Sequence, residues 1–344
     1  MEKTRKIRKG VNTVTKRLFS LVAVLMVLLI VAGCAGGGSQ QATPEAKYPE
    51  KPITYVVPWG AGGGSDVMAR MVVDIIQQNK FLPQPVVVVN KPGGSGAIGM
   101  NEVAQKKGDP YTIIGIVSGQ ISTPITTNAP VKASTFKPIA ALALDEFFLL
   151  AKPDSQFKSL KDVVDYAKAN PGKLTIGGTG TGSEDHMCTG LFQKAAGIKL
   201  EYIPFDGGGE TISALLGGHV QLAWANPSEC ASQLKGGLVK VLGVMAPERL
   251  KAYPDIPTFR EQGYDAVFRQ IRAISGAPDM PDYAVKKIAE ALKKVTETER
   301  WQKDYIEKNA LTSQYLGPEE YAKAIAEAEK QYTEILTDLG LVKK

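Results

Sequence analysis

The chain is poor in the residues from which most enzyme sites are built. Its 344 residues include two histidines, His186 and His219, and neither sits in the His-Glu-x-x-His spacing that puts two imidazoles on one helix face to hold zinc. No Gly-x-x-x-x-Gly-Lys-Ser/Thr sequence is present, so no glycine-rich turn carries a lysine for the terminal phosphates of a nucleotide. The segment Ala61 to Gly64 does not complete the Gly-x-Gly-x-x-Gly of dinucleotide folds. Gly94-Ser95-Gly96 comes nearest to a nucleophile elbow and lacks its flanking residues. No nucleophile stands beside a base, and the expectation is a protein that is not an enzyme and uses no cofactor or metal. Glu184-Asp185-His186 offers a metal alternative, against which stands a solvated first helical turn with helix-favouring acids.

An excess of charge is missing too, once the first residues are set apart. The whole chain is formally +6 with a pI near 8.9. Seven of its 41 basic residues (Lys3, Arg5, Lys6, Arg8, Lys9, Lys16, Arg17) and one of its 35 acidic residues (Glu2) precede Cys34, leaving 34 against 34. The remainder is neutral and gives no ground for a nucleic-acid partner. The one long apolar run, Leu18 to Ala32, is shorter than the roughly 20 residues a bilayer-crossing helix needs.

What the N-terminus does contain is a basic flank, that short apolar core, and small residues ending in Val31-Ala32-Gly33-Cys34. This is the layout of a secretory signal, and the small residues before Cys34 resemble the lipobox at which a diacylglycerol is attached to the thiol. Residues 1–33 are therefore expected to be a lipoprotein signal peptide. Cys34 is expected to be the lipidated residue, and 34–47, rich in Gly, Ser, Gln and Pro, a flexible tether. The body is expected to lie outside the cytoplasm, held to a membrane by its lipid. Two cysteines remain, Cys188 and Cys230. In an oxidising compartment they can pair, which spacing alone does not decide.

The remaining chain, about 300 residues, exceeds what one hydrophobic core usually serves, so two lobes are expected. β-Branched runs (Ile53 to Val57, Pro85 to Val89, Tyr111 to Val117) alternate with glycine-rich turns and a helical stripe from Val67 to Ile76. This pattern predicts a parallel sheet covered by helices. A second series follows Pro153: a helix from Leu160 to Ala169, then strands near Leu174, Leu200, Val220 and Val239 separated by helices. Two further apolar stripes, Val285 to Val295 and Tyr321 to Leu339, are helical. Phe147 to Ala151 and Ile271 to Ala277 read as crossover strands, placing lobe 1 at 48–151 and 269–344 and lobe 2 at 152–268, with a ligand cleft between them.

Three glycine-rich turns each follow a strand and open a helix. The first is Trp59-Gly60-Ala61-Gly62-Gly63-Gly64-Ser65-Asp66, the second runs from Gly177 through Thr179, Gly180, Thr181 and Gly182 to Ser183, and the third is Asp206-Gly207-Gly208-Gly209. Such a turn aims backbone N–H groups at one spot, where the helix start adds unpaired donors and partial positive charge. It makes an anion cradle. The bland alternative for each is a tight turn with an N-cap, Ser65 in the first case. Three divided between two lobes argue for a shared crevice at the strand ends.

Several segments together resemble the receptors of tripartite tricarboxylate transport systems, the Bug-type binding proteins. They are Tyr48-Pro49-Glu50-Lys51-Pro52-Ile53, the Val57-to-Asp66 turn, Val89-Asn90-Lys91-Pro92-Gly93-Gly94, Ala169-Asn170-Pro171-Gly172-Lys173-Leu174, Leu215-Leu216-Gly217-Gly218 and Pro254-Asp255-Ile256-Pro257-Thr258. The resemblance runs from about Tyr48 to the C-terminus. It implies an α/β, two-lobed fold of the periplasmic-binding-protein type II kind, with a hinge and an interlobe cleft. It also implies a monomer that captures a small carboxylic acid for separate membrane permease subunits. Carried across, it puts the ligand against Trp59, Ala61, Gly62, Gly63, Gly64, Ser65 and Asp66, against Thr179, Gly180, Thr181 and Ser183, and against Asp206, Gly207, Gly208 and Asn226. Where the family often has Asp-Asn, this chain has Ala225-Asn226, which weighs against an amino-acid ligand. Trp59 stands where Phe is commoner. Alternatives within binding proteins are a receptor for another small oxyanion or a sensor subunit serving a membrane kinase. An enzyme acting on a carboxylate is the rival from another class.

Overall fold

The computed structural model describes residues 44–342. The segment expected to be a signal, Cys34 and the expected tether up to residue 43 lie outside the described residues; Pro44–Lys47, the last stretch of that expected tether, is a single helical turn. From Tyr48 onward the chain forms one compact unit.

That unit is built on two mixed sheets. β1 (Ile53–Val57) lies between β2 (Val86–Asn90) and β3 (Thr112–Ile116) and runs parallel to both. β10 (Arg269–Gly276) pairs antiparallel with β3 and with β4 (Lys137–Glu146), and β11 (Thr312–Leu316) closes the edge on β4. In the second sheet β6 (Thr175–Thr179) runs parallel to β7 (Glu201–Phe205) and β8 (Leu222–Ala225). β5 (Phe148–Ala151) pairs antiparallel with β8 and β9 (Lys240–Val244). The parallel strands expected from the β-turn-helix-β pattern are present, but antiparallel strands complete each sheet. Those strands carry the chain between sheets, and their direction follows from entering and leaving rather than from a helical crossover.

The chain passes from the first sheet to the second between Glu146 and Phe148, so β5, read as a crossover strand, belongs wholly to the second sheet. It returns by Phe268 into β10. Where the two passages meet, Met245 N donates to Phe147 O at 2.9 Å, Phe268 N donates to Met245 O at 3.3 Å, and the rings of Phe147 and Phe268 pack 5.6 Å apart.

The helices are α1 (Gly64–Gln78), α2 (Ala97–Ala104), α3 (Ser118–Thr127), α4 (Leu160–Ala169), α5 (Glu184–Ala196), α6 (Gly208–Leu216), α7 (Pro227–Lys235), α8 (Asp282–Thr296) and α9 (Pro318–Asp338). A π-helical segment, Trp301–Glu307, precedes β11. α8 buries Val285, Ile288, Ala289, Leu292 and Val295, one face at helical spacing. α9 has Pro318 in its first turn, followed by Glu319 and Glu320 against the helix dipole, and buries Tyr321, Ile325, Tyr332, Ile335 and Leu336.

Strand alternation sorts the apolar side chains into three clusters. Leu149 of β5 and Trp224 of β8 join a central cluster that includes Val56, Ile114 and the α9 residues. Phe148, Leu150, Ala223 and Ala225 face a second cluster on the other side of the same sheet. A third cluster lies under α1 and α8. The possible disulfide fails on this geometry. Cys188 of α5 is in the central cluster and Cys230 of α7 in the outer one, with the sheet between them, and both thiols are free and buried.

Candidate functional site

The first glycine turn is laced back to the helix it opens. Asp66, 2% exposed, accepts from Gly62 N at 2.8 Å and Arg70 Nε at 2.9 Å through one oxygen, and from Asn90 Nδ2 at 2.9 Å through the other. Asn90 Nδ2 also donates to Trp59 O at 3.1 Å. The Arg70 bond, with help from Gly62 and Asn90, holds the Asp66 carboxyl down at about 2. Gly62 takes φ +82, which a side chain rarely adopts. Asp66, expected as a ligand contact, thus spends both oxygens inside the turn. It braces the loop and leaves Ala61, Gly62, Gly63 and Gly64 exposed, with the opening N–H groups of α1 beyond the reach of intrahelical carbonyls.

Beside this turn stands a cation that the pattern of glycines did not reveal. A Cβ on Gly64 would lie 3.0 Å from Nη2 and 3.1 Å from Nη1 of Arg272, so glycine is what lets the guanidinium approach the start of α1. Arg272 comes from β10, is 8% exposed, and forms an ion pair with Asp145 of β4, which is fully buried. Asp145 keeps the guanidinium charged. The two are separated by a long stretch of sequence, and only the β4–β10 pairing brings them together.

The second turn repeats the first turn's device with different electrostatics. Asp185 accepts from Thr179 N at 2.7 Å and Thr179 Oγ1 at 3.0 Å; burial pushes its carboxyl up to about 8. Ser183 caps α5, and its hydroxyl accepts from His186 N at 3.4 Å. His186 accepts from Gly182 N through Nδ1 at 3.2 Å and stacks on Tyr202 with ring centroids 4.0 Å apart. Burial lowers the imidazole to about 4, in keeping with its neutral, acceptor role. Among the described residues no group of three or more His, Cys, Asp or Glu side chains could hold a metal. Gly182, at φ +77, lies against Thr126 at the end of α3, so this turn abuts the first sheet's helices. The next residue, Glu184, accepts from Gln270 Nε2 of β10.

At the third turn Asp206 N donates to Glu210 Oε2 at 3.1 Å, and the Asp206 side chain is exposed. Gly208 lies under the carboxylate of Glu229: a Cβ there would sit 2.7 Å from Oε2. Glu229 Oε2 accepts from Asn226 N at 3.1 Å, and Asn226 Nδ2 donates to Glu146 O at 2.9 Å, tying α7 to the end of β4. Thr181 and Gly180 are exposed.

The turns are linked through charge. Burial raises the carboxyl pKa of Glu184, which Asp145 raises further and Arg272 lowers; the carboxyl of Glu229, an exposed residue, responds to the same groups. Arg272, Gln270 and Glu229 are the functional candidates that motif reading missed; Glu184 figures in it only as part of a metal alternative. A lone arginine in an apolar strand, Gln-Ile-Arg-Ala-Ile, was the available signal: such a charge enters a sheet only with a partner.

The profile of the tripartite tricarboxylate transporter family receptor matches residues 68–341. A protein of Cupriavidus necator, the UPF0065 protein in the gbd 5' region, is 31% identical over 300 residues, 86% of this chain and 90% of its own length. The protein BugT of Bordetella pertussis is 30% identical over 71% of this chain and 74% of its own. Among solved structures, a TctC solute-binding protein from Polaromonas is 27% identical, with TM-score 0.74 over 84% of this chain and 99% of its own. Two proteins of Rhodopseudomonas palustris share the fold: MatC with bound malate (23% identical, TM-score 0.70, 84% of this chain and 100% of its own) and one with adipate (21% identical, TM-score 0.73, 85% and 98%). With the family profile spanning most of the chain, and a relative alike over nearly its whole length, this protein belongs to the receptor family of the tripartite tricarboxylate transporters.

Proposed function

We propose that the protein is an extracytoplasmic receptor, lipid-anchored through Cys34, that captures a small carboxylic acid and delivers it to the permease subunits of a tripartite transporter. The observation that carries this reading is the first turn, where exposed glycines at the start of α1 lie against the buried guanidinium of Arg272. Open backbone donors, a helix N-terminus and a fixed cation together favour an anion. The malate and adipate held by the two R. palustris proteins of this fold support a carboxylate as that anion.

In this reading Ala61 to Ser65 receive one carboxylate, Thr179 to Ser183 and Asp206 to Gly208 approach from the other lobe, and Asn226 ties the lobes near the passage at Phe147. The lobe built on the first sheet and the lobe built on the second, which takes β5 (Phe148–Ala151) from the lobe the sequence assigned it to, close over the ligand. Four or five charge-assisted hydrogen bonds at about 1.5–3 kcal/mol each, less ordering and association costs, leave an affinity near micromolar, about −8 kcal/mol. The protein binds and releases; it catalyses nothing.

A thermal-shift screen of mono-, di- and tricarboxylates tests the reading. A saturating hit should also compact the protein in small-angle scattering. No stabilisation by any carboxylate would overturn it. Cys34→Ser should release the chain from membranes, and retention of that variant would remove the lipid anchor from the proposal.

A further inference from the structure

The strands at the hinge carry a second pair of opposite charges, on the face turned away from the first glycine turn. Glu146 is the last residue of β4 and Arg269 the first of β10, and the two are Cα partners in the antiparallel ladder. Successive side chains of a strand point to opposite faces. Asp145 and its ladder partner Gln270 share the face of Arg272, so Glu146 and Arg269 share the other. Arg272 and Asp145 close an ion pair; Arg269 and Glu146 do not. Arg269 is the one arginine among the described residues that enters no ion pair.

Both residues line a cavity of about 760 Å³, walled on one side by residues 246–252 after β9 and on the other by the π-helical segment and the start of β11. Small-molecule sites occupy about 300–1,000 Å³. Ala246, Leu250, Ile306 and Leu311 give it apolar walls. Glu146 is 1% exposed; its Oε1 accepts from Thr312 Oγ1 at 2.7 Å, while Oε2 is buried and accepts from nothing. A buried acceptor without a donor is costly, and an occupant that donates to it recovers that cost. The charged side chains around the cavity balance: Glu146, Glu248 and Glu307 against Arg249, Lys251 and Arg269, with Arg249 held by Glu261. An occupant therefore needs no net charge.

We propose that this cavity is a second binding site, apart from the glycine turns, for a small neutral molecule with an apolar body and a primary amide head, its N–H donating to Glu146 Oε2 and its carbonyl accepting from the Arg269 guanidinium. An amide carries a donor and an acceptor on one planar group, which is what two opposite charges on neighbouring strands ask of a bridge. A carboxylate head would meet Glu146 with like charge, and an amidinium would meet Arg269 in the same way. Burial raises the Glu146 carboxyl to about 7, with Asp145 raising it further and Thr312 and Arg269 lowering it. The contrast among the three heads is therefore sharpest at about pH 8, where Glu146 is ionised.

Three isosteres test this with the intact chain at about pH 8: benzamide, benzoate and benzamidine. Binding is read by NMR from the methyl groups of Leu250, Ile306 and Leu311, which report on this cavity and not on the glycine turns. Benzamide should shift these methyls to saturation, and benzoate and benzamidine should each bind there about tenfold more weakly or worse. Arg269→Gln, at a half-buried position, should weaken benzamide about tenfold. Ala252→Trp, which adds bulk from an exposed position on the cavity wall and removes no contact of Glu146 or Arg269, should abolish the shifts. Methyls unmoved by benzamide, either charged isostere binding there as tightly, or unchanged benzamide affinity in either variant would overturn the proposal. The receptor reading concerns the glycine turns and stands in each case.

Discussion

Asp66→Asn tests whether the first turn is held from within. The substitution keeps one acceptor oxygen but turns an NH2 toward Gly62 N and Arg70, two donors now at 2.8 and 2.9 Å from oxygen. The folded pKa lies near 2 against an ordinary 3.8, which corresponds to about 2.5 kcal/mol of stabilisation at neutral pH. The side chain of Arg70 is 57% exposed, so solvent screening discounts its share and about 2 kcal/mol is the expected loss. The sign follows from the depressed pKa: the contribution is complete above 3.8 and is lost as pH falls through about 2. Urea unfolding followed by tryptophan fluorescence at a series of pH values reads it. The variant should be weaker at neutral pH with an unchanged urea slope, and the gap should narrow toward pH 3 as the wild type loses its advantage. A gap below about 0.5 kcal/mol at neutral pH, or one that widens on acidification, would refute the bracing role. Affinity for the carboxylate should fall in the same variant, because the turn would lose its fixed shape.

Three further outcomes are expected. Gly178→Ala places a Cβ 2.5 Å from Asp185 Cβ and 2.6 Å from Tyr202 Oη, so thermal melting should show a loss of about 3 kcal/mol; a wild-type melting point would mean the second turn is looser than described. Glu146, 1% exposed and raised by burial from 4.5 to about 7, makes the native protein less stable as pH climbs through that interval, by roughly 3 kcal/mol. Glu146→Gln should flatten the dependence, and parallel pH profiles of variant and wild type would contradict the assignment. Cys188 and Cys230 are buried, with the Cys230 thiol pushed up to about 12 by burial, so N-ethylmaleimide should spare both in the native protein and label both in urea. A linked Cys188–Cys230 peptide in mass spectrometry would contradict the opposite-face placement.

Local pattern carried the sequence reading wherever one segment holds its own signal. The stripe from Val285 to Val295 is the buried face of α8, and Leu160 to Ala169 is α4 with Ser159 as its cap. The three glycine turns stand where strands end and helices begin, and in the first two Gly62 and Gly182 hold φ values that side chains rarely adopt. Other elements have no local signal. α3, Ser-Gly-Gln-Ile-Ser-Thr-Pro-Ile-Thr-Thr, lacks an apolar stripe and contains Pro124; it is helical through burial against neighbours such as Tyr332, bonded to Ser118 at 2.9 Å. β4 shows no alternation because it is buried along most of its length.

By itself, then, the sequence determined the alternation of strands and helices, the positions of the glycine turns and the likeness to a receptor family, all properties of residues near one another in the chain. Tertiary structure decided which strands pair antiparallel, on which face each cysteine lies, and that Arg272 meets Asp145 beside Gly64. Charges so far apart in the chain meet only through strand register, and register is fixed by the packing of whole sheets rather than by any local pattern.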